Sequence, residues 1–126
     1  MHVSFDHFHL RSRDPEAAAA FYATRLGAII TGRLDNAGAL RVILSLGGVQ
    51  MFIEAVPATT PGTPPAPFVG IEHFGVLVAD MDSAVAELRT HGVRFLVEPM
   101  APRPGMKIAF IEGPDGVRVE LLQRGP

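Results

Sequence analysis

Five side chains in this sequence are of types that do chemistry together: His7, His9, Glu54, His73 and Glu120. There is no cysteine, so disulfides, thiolate zinc sites and a cysteine nucleophile drop out. Any metal must then be held by nitrogen and oxygen. Two imidazoles and one carboxylate, His7, His73 and Glu120, would leave open positions on a single divalent ion and suit Fe, Mn, Ni, Co or Zn. Two residues are candidates for moving a proton as catalytic groups. Strand alternation sets His9 on the face of His7, together with Arg11. Glu54 could act as a base if it points inward and apolar Phe52 and Met51 raise its pKa. The plainer roles stand beside these: a strand histidine is more often simply satisfied or half-exposed, and a strand glutamate usually faces water. Arg11, Arg41, Arg103 and Lys107 could meet an anionic substrate, though a solvated surface is their ordinary place.

What raises the histidines above coincidence is that the chain repeats itself. The segment from Phe5, FDHFHLRSRDPEAAAAFYATRLGA, matches the one from Ile71, IEHFGVLVADMDSAVAELRTHGVRF. Each runs from an acidic residue through His-Phe to an aspartate, an alanine-rich helical stretch and a glycine. His7 pairs with His73 and Asp14 with Asp80, both at an offset of 66 (73 − 7 and 80 − 14). Residues 3–11 and 71–79 read as strands. Asp14 caps a helix with Pro15 at its first position, ending near Gly27, and Asp80 caps a second ending at Gly92. Short strands follow at about 28–33, 39–46 and 49–56, then 93–97, 106–112 and 117–123, with turns at Gly47-Gly48 and Pro114-Asp115-Gly116. The order is βαβββ twice: residues 1–56, a Pro-rich linker over 57–68, and residues 69–126. The stretch 57–67 holds five of the eleven prolines and so cannot join a sheet interior. Glu120 follows Val119 and precedes Leu121, which share the opposite strand face with Val117. A carboxylate in so apolar a strand is costly unless paired or bound to a cation.

Bulk composition narrows the classes. The 126 residues are 48% hydrophobic and 19% charged, with a net charge of −2, so no basic excess exists to hold a nucleic-acid backbone. The apolar runs fall well short of the roughly 20 residues of a membrane span. The N-terminus shows no cationic stretch leading into an apolar core, so the expected location is cytoplasmic.

Three stretches, DHFHLRSRDPEAAAAFY, GIEHFGVLVADMDSAVAEL and AFIEGPDGVRVELLQ, resemble the vicinal oxygen chelate superfamily. That superfamily includes glyoxalase I, methylmalonyl-CoA epimerase, extradiol dioxygenases, and fosfomycin and bleomycin resistance proteins. The resemblance covers nearly the whole chain. It implies an α+β fold in which two βαβββ modules form a cupped mixed sheet around a central cavity. It maps the metal ligands to His7, His73 and Glu120 and implies a homodimer. In the glyoxalase and the epimerase a fourth ligand, Glu or Gln, ends the first module. Aligning Gly48 on Gly116 puts Phe52 there, with Glu54 two residues beyond. The resemblance thus implies a metal-dependent glyoxalase- or epimerase-like lyase/isomerase acting on a small enolisable carbonyl compound. An Fe(II) dioxygenase with a His-His-Glu triad is the first alternative, and a non-catalytic binder conferring drug resistance the second.

Overall fold

A computed structural model describes residues 1–125. The elements in order are β1 (His7–Ser12), α1 (Pro15–Leu26), β2 (Ile29–Asn36), β3 (Ala39–Leu46) and β4 (Val49–Ala55), then β5 (Phe74–Leu77), α2 (Met81–Thr90), β6 (Phe95–Arg103), β7 (Met106–Glu112) and β8 (Arg118–Arg124). They fall into two compact units, Met1–Pro61 and Gly62–Pro126, each with the order βαβββ. The fold is α+β. None of the helices among the described residues is long and apolar enough to cross a membrane.

Each unit is a helix on one face of a four-stranded mixed sheet. The strand order is β1-β4-β3-β2 in the first and β5-β8-β7-β6 in the second. In both, the strand before the helix runs parallel to the last strand, and the remaining pairs are antiparallel. The alternation of side chains decides which face is covered. Val42, Leu44, Met51 and Ile53 are fully buried on the face of the first sheet where α1 packs with Pro15, Ala18, Ala19 and Tyr22. Ala109, Ile111, Val119 and Leu121 do the same in the second, where α2 contributes Met81, Val85 and Leu88. Burying each of the larger side chains is worth about 1.5–3 kcal/mol.

Asp14 accepts from the Ala17 amide at 3.1 Å with Pro15 next in line, and Asp80 accepts from the Ser83 amide at 3.0 Å. The glycines expected to end the helices do so: Gly27 and Gly92 have φ of 73° and 72°, left-handed conformations that suit a residue without Cβ.

Four strands differ from the sequence expectation; β2 runs on past 33 to Asn36, paired with β3 as far as Ala39. The first strands are shorter than 3–11 and 71–79, because pairing begins only where the partner strand reaches, at His7 opposite Gln50 and Phe74 opposite Val119. β6 extends past 97 to Arg103, through Pro99 and Pro102. It is an edge strand with repeated register shifts, the setting in which a missing N–H is tolerated. The proline-rich stretch 57–67 forms no strand or helix, and the Arg13 Nε donates to the Thr60 carbonyl at 3.1 Å.

Candidate functional site

The face of each sheet away from its own helix carries the residues of interest. In the first unit the register places His7 beside Gln50, His9 beside Phe52 and Arg11 beside Glu54, with Arg41 on the other side of Glu54. His7 stacks on Phe52 with ring centroids 4.2 Å apart, and His9 meets the same ring edge-on at 6.0 Å. The His7 Nδ1 donates to Asp6 Oδ2 at 2.6 Å. Burial holds the His9 pKa below its ordinary value, opposed by the nearby Glu54 carboxylate.

Glu54 does not have the environment that would make it a base. Its Oε1 accepts from Asn36 Nδ2 and Arg41 Nε, both at 2.9 Å. These bonds, with the Arg41 charge, hold its carboxyl below the usual range, where the sequence reading required it to be raised. The apolar neighbour invoked for raising it, Met51, points to the opposite, helix-covered face. The correction is one of partners: a polar pair on the same face outweighs apolar neighbours in sequence.

In the second unit His73 lies just ahead of β5, and its Nε2 is 3.5 Å from Glu120 Oε1. Its Nδ1 donates to Glu72 Oε2. The other Glu72 oxygen, Oε1, pairs with Arg118 Nε at 2.6 Å. The Glu72 carboxyl is consequently held below its usual range, first by the His73 bond and then by Arg118. Phe110 is the floor: His73 meets it edge-on at 4.8 Å, and Arg118 Cζ lies 5.0 Å from its centroid. The Glu120 side chain is 20% exposed, flanked in sequence by fully buried Val119 and Leu121.

The two registers can be superimposed by the repeat. His9 and Gly75 correspond at the offset of 66; His9 faces Phe52 and Gly75 faces Glu120. Phe52 therefore occupies in its unit the place that Glu120 occupies in the other, and Glu54 lies one pair further along, opposite Arg11. Gly75 has a reason of its own. A Cβ there would come within 3.3 Å of Glu120 Oε1.

The structure thus brings His73 and Glu120 together, while His7, His9 and Glu54 belong to the first unit. Among the described residues no group of three or more His, Asp or Glu side chains is gathered closely enough to hold a metal ion. The donor chemistry nevertheless fits a divalent cation. Both histidines have Nδ1 committed to a carboxylate, which can only accept, so in the neutral ring Nε2 is the nitrogen that carries the lone pair. Metal-binding histidines characteristically have this outer partner. Asp6, Glu72, Arg118, Phe110 and Gly75 were not singled out from the sequence. An acidic residue ahead of each His-Phe is visible in the repeat, but its contact with the ring belongs to the fold.

The profile of the Glyoxalase/Bleomycin resistance protein/Dioxygenase superfamily matches residues 4–121. The chain is 27% identical over 123 residues to the uncharacterized protein YaeR of Escherichia coli, covering 94% of each. It is 43% identical over 58 residues to a probable chloroplastic lactoylglutathione lyase of Arabidopsis thaliana; this match takes in 45% of the chain and 17% of the lyase. Among solved structures, the trypanothione-dependent glyoxalase I of Leishmania major superimposes with a TM-score of 0.79 at 24% identity, covering 97% of this chain and 87% of that one.

Proposed function

We propose, because the chain belongs to the Glyoxalase/Bleomycin resistance protein/Dioxygenase superfamily, that it is a divalent-metal-dependent lyase or isomerase acting on a small enolisable carbonyl compound with two neighbouring oxygens. The observation that carries this reading is the His73–Glu120 pair, 3.5 Å apart, with the far side of the imidazole held by Glu72. Those two residues and His7 are the proposed metal ligands. A divalent ion bound there would supply Lewis-acid stabilisation of the negative charge that develops on the substrate oxygens. His9, on the face of His7, is the proposed proton carrier, taking a proton from the carbon beside the carbonyl and returning it to its neighbour. Glu54 has no part in this reading, since Asn36 and Arg41 both engage its Oε1 and hold its carboxyl below the usual range. A homodimer free in the cytoplasm completes the reading.

One observation favours a second reading. With Phe52 at the place equivalent to Glu120, the ligand set stops at two imidazoles and a carboxylate. That set suits Fe(II) with room for a chelating diol and dioxygen. The test is elemental analysis of protein purified without chelator, followed by assay against 1,2-dicarbonyl compounds and catechols. Stoichiometric divalent metal and isomerisation of a dicarbonyl without oxygen uptake are expected. Oxygen consumption with a catechol after anaerobic Fe(II) loading would replace the first reading with the second. Metal-free protein that turns over neither class, with or without added metal, would overturn both.

A further inference from the structure

We propose that Glu72 is the positioning residue of this centre: held from behind by Arg118, it fixes His73 in the Nδ1-protonated tautomer and keeps Nε2 turned to Glu120. The inference rests on the metal reading above for its purpose, though not for its geometry. The two oxygens of Glu72 are divided between two partners. Oε2 takes the His73 Nδ1 proton and Oε1 pairs with Arg118 Nε at 2.6 Å. A carboxylate gripped from one side cannot swing away from the imidazole without breaking its ion pair. The guanidinium is itself fixed, with Cζ 5.0 Å from the Phe110 centroid, and the same ring meets His73 at 4.8 Å. Glu72, His73, Phe110 and Arg118 thus form a closed ring of contacts, in which the rotation of the imidazole is restrained on two sides. A neutral imidazole in water distributes its proton between both nitrogens, so a partner that can only accept decides which nitrogen keeps the lone pair.

The first unit shows what the ring of contacts adds. Asp6 bonds the His7 Nδ1 at 2.6 Å, but the Asp6 side chain is 81% exposed. The arginine over the neighbouring aromatic ring, Arg41 on Phe52, is spent on Glu54. Asp6 has no such restraint from Arg41, and its hold on the ring is the looser of the two. Outer partners of this kind change metal affinity by about 10- to 100-fold when removed.

The experiment uses full-length protein, with Zn²⁺ as the probe, and two readouts. Long-range ¹H–¹⁵N correlation spectra of metal-free protein report the His73 tautomer, and competition with a chromophoric chelator reports Zn²⁺ affinity. Glu72→Ala is expected to redistribute the His73 proton toward Nε2 and weaken Zn²⁺ binding by about 10- to 100-fold. Glu72→Asp should recover part of both, and Arg118→Met, which leaves the carboxylate but frees it, should lie between. Asp6→Ala should have the smaller effect on affinity. Because the Glu72 side chain is 47% exposed, its substitutions leave the core untouched; Arg118 is more buried, at 28%, and the remaining amide resonances serve as the folding check for every variant. An unchanged His73 tautomer in Glu72→Ala overturns the proposal. A changed tautomer in a protein whose wild type binds no Zn²⁺ would sustain the positioning role and overturn the metal reading instead.

Discussion

The two units share a scaffold and differ in what they place on it. Each has a helix on one face, a first strand parallel to the last, and an acidic residue bonded to the histidine ahead of or at the start of that strand. At the equivalent pair position, however, the first unit carries His9 opposite Phe52 and the second Gly75 opposite Glu120. One face is filled by aromatic stacking with its carboxylate, Glu54, neutralised by Arg41. The other is cleared by a glycine so that a carboxylate can approach an imidazole. A duplicated fold fixes where a side chain can stand, while the residue chosen there decides whether the place is filled by packing or left open to a polar pair.

If the scaffold is common, equivalent core truncations should cost alike. Ile53 and Leu121 are both fully buried, on the helix-covered faces behind Phe52 and Glu120 respectively. Ile53→Ala and Leu121→Ala are each expected to lower unfolding free energy by about 2–5 kcal/mol in urea titrations. A cost confined to one of them would break the equivalence on which the comparison stands.

The histidines should not be equal. His73→Ala removes the imidazole that sits beside Glu120, and Zn²⁺ affinity by chelator competition should fall by more than the roughly 100-fold ceiling of an outer-partner loss. The fold should persist, since the His73 side chain is 31% exposed. His7→Ala should reduce affinity less, because it leaves the His73–Glu120 pair intact. Identical losses would show that the second unit has no privileged role.

Phe52→Glu puts a carboxylate at the place equivalent to Glu120. Loss of the His7 stack should cost about 0.5–1.5 kcal/mol of stability. Divalent-ion affinity should rise by about tenfold, or ~1.4 kcal/mol. Unchanged affinity would mean that equivalence of register does not carry over to the centre.

Much of this was open to reading from the residues. The fold follows from periodicity and punctuation: Asp14-Pro15 and Asp80 mark helix starts by side-chain capping, while Gly27, Gly92 and the hairpin glycines mark element ends by left-handed conformations that few other residues accept. The alignment of Gly48 on Gly116 already put Phe52 at the Glu120 place, because a two-residue strand period makes register a matter of counting. What could not be counted was contact. Glu54 was readable as facing the same way as Phe52, but Asn36 and Arg41 reach it from β2 and β3, 18 and 13 residues away in sequence, and they reverse the direction of its pKa. The full extent of β6 was hidden by Pro99 and Pro102, which forbid an interior strand but not an edge. Gly75 looked like one more strand residue until the carboxylate opposite it was in view.

That glycine offers the finest test of the comparison, because its two consequences carry opposite signs. Gly75 does not have a positive φ, so alanine is compatible with its backbone and restricts the unfolded chain. On that account Gly75→Ala should raise stability by about 0.4–1 kcal/mol. The new methyl, however, would stand 3.3 Å from Glu120 Oε1, closer than nearly all such contacts, and the carboxylate must retreat by a few tenths of an ångström. With Glu120 and His73 as the proposed ligands, a displacement on that scale spoils their convergence on a common ion, so metal affinity should fall by about threefold while the protein becomes harder to unfold. In the first unit the same position already bears a side chain, and His9→Ala should leave metal affinity within about twofold, since its partner is Phe52. Measuring both variants by urea titration and Zn²⁺ competition separates packing from chemistry at one register position. A stabilised Gly75→Ala that binds metal as well as wild type would mean that the close approach to Glu120 serves the strand alone.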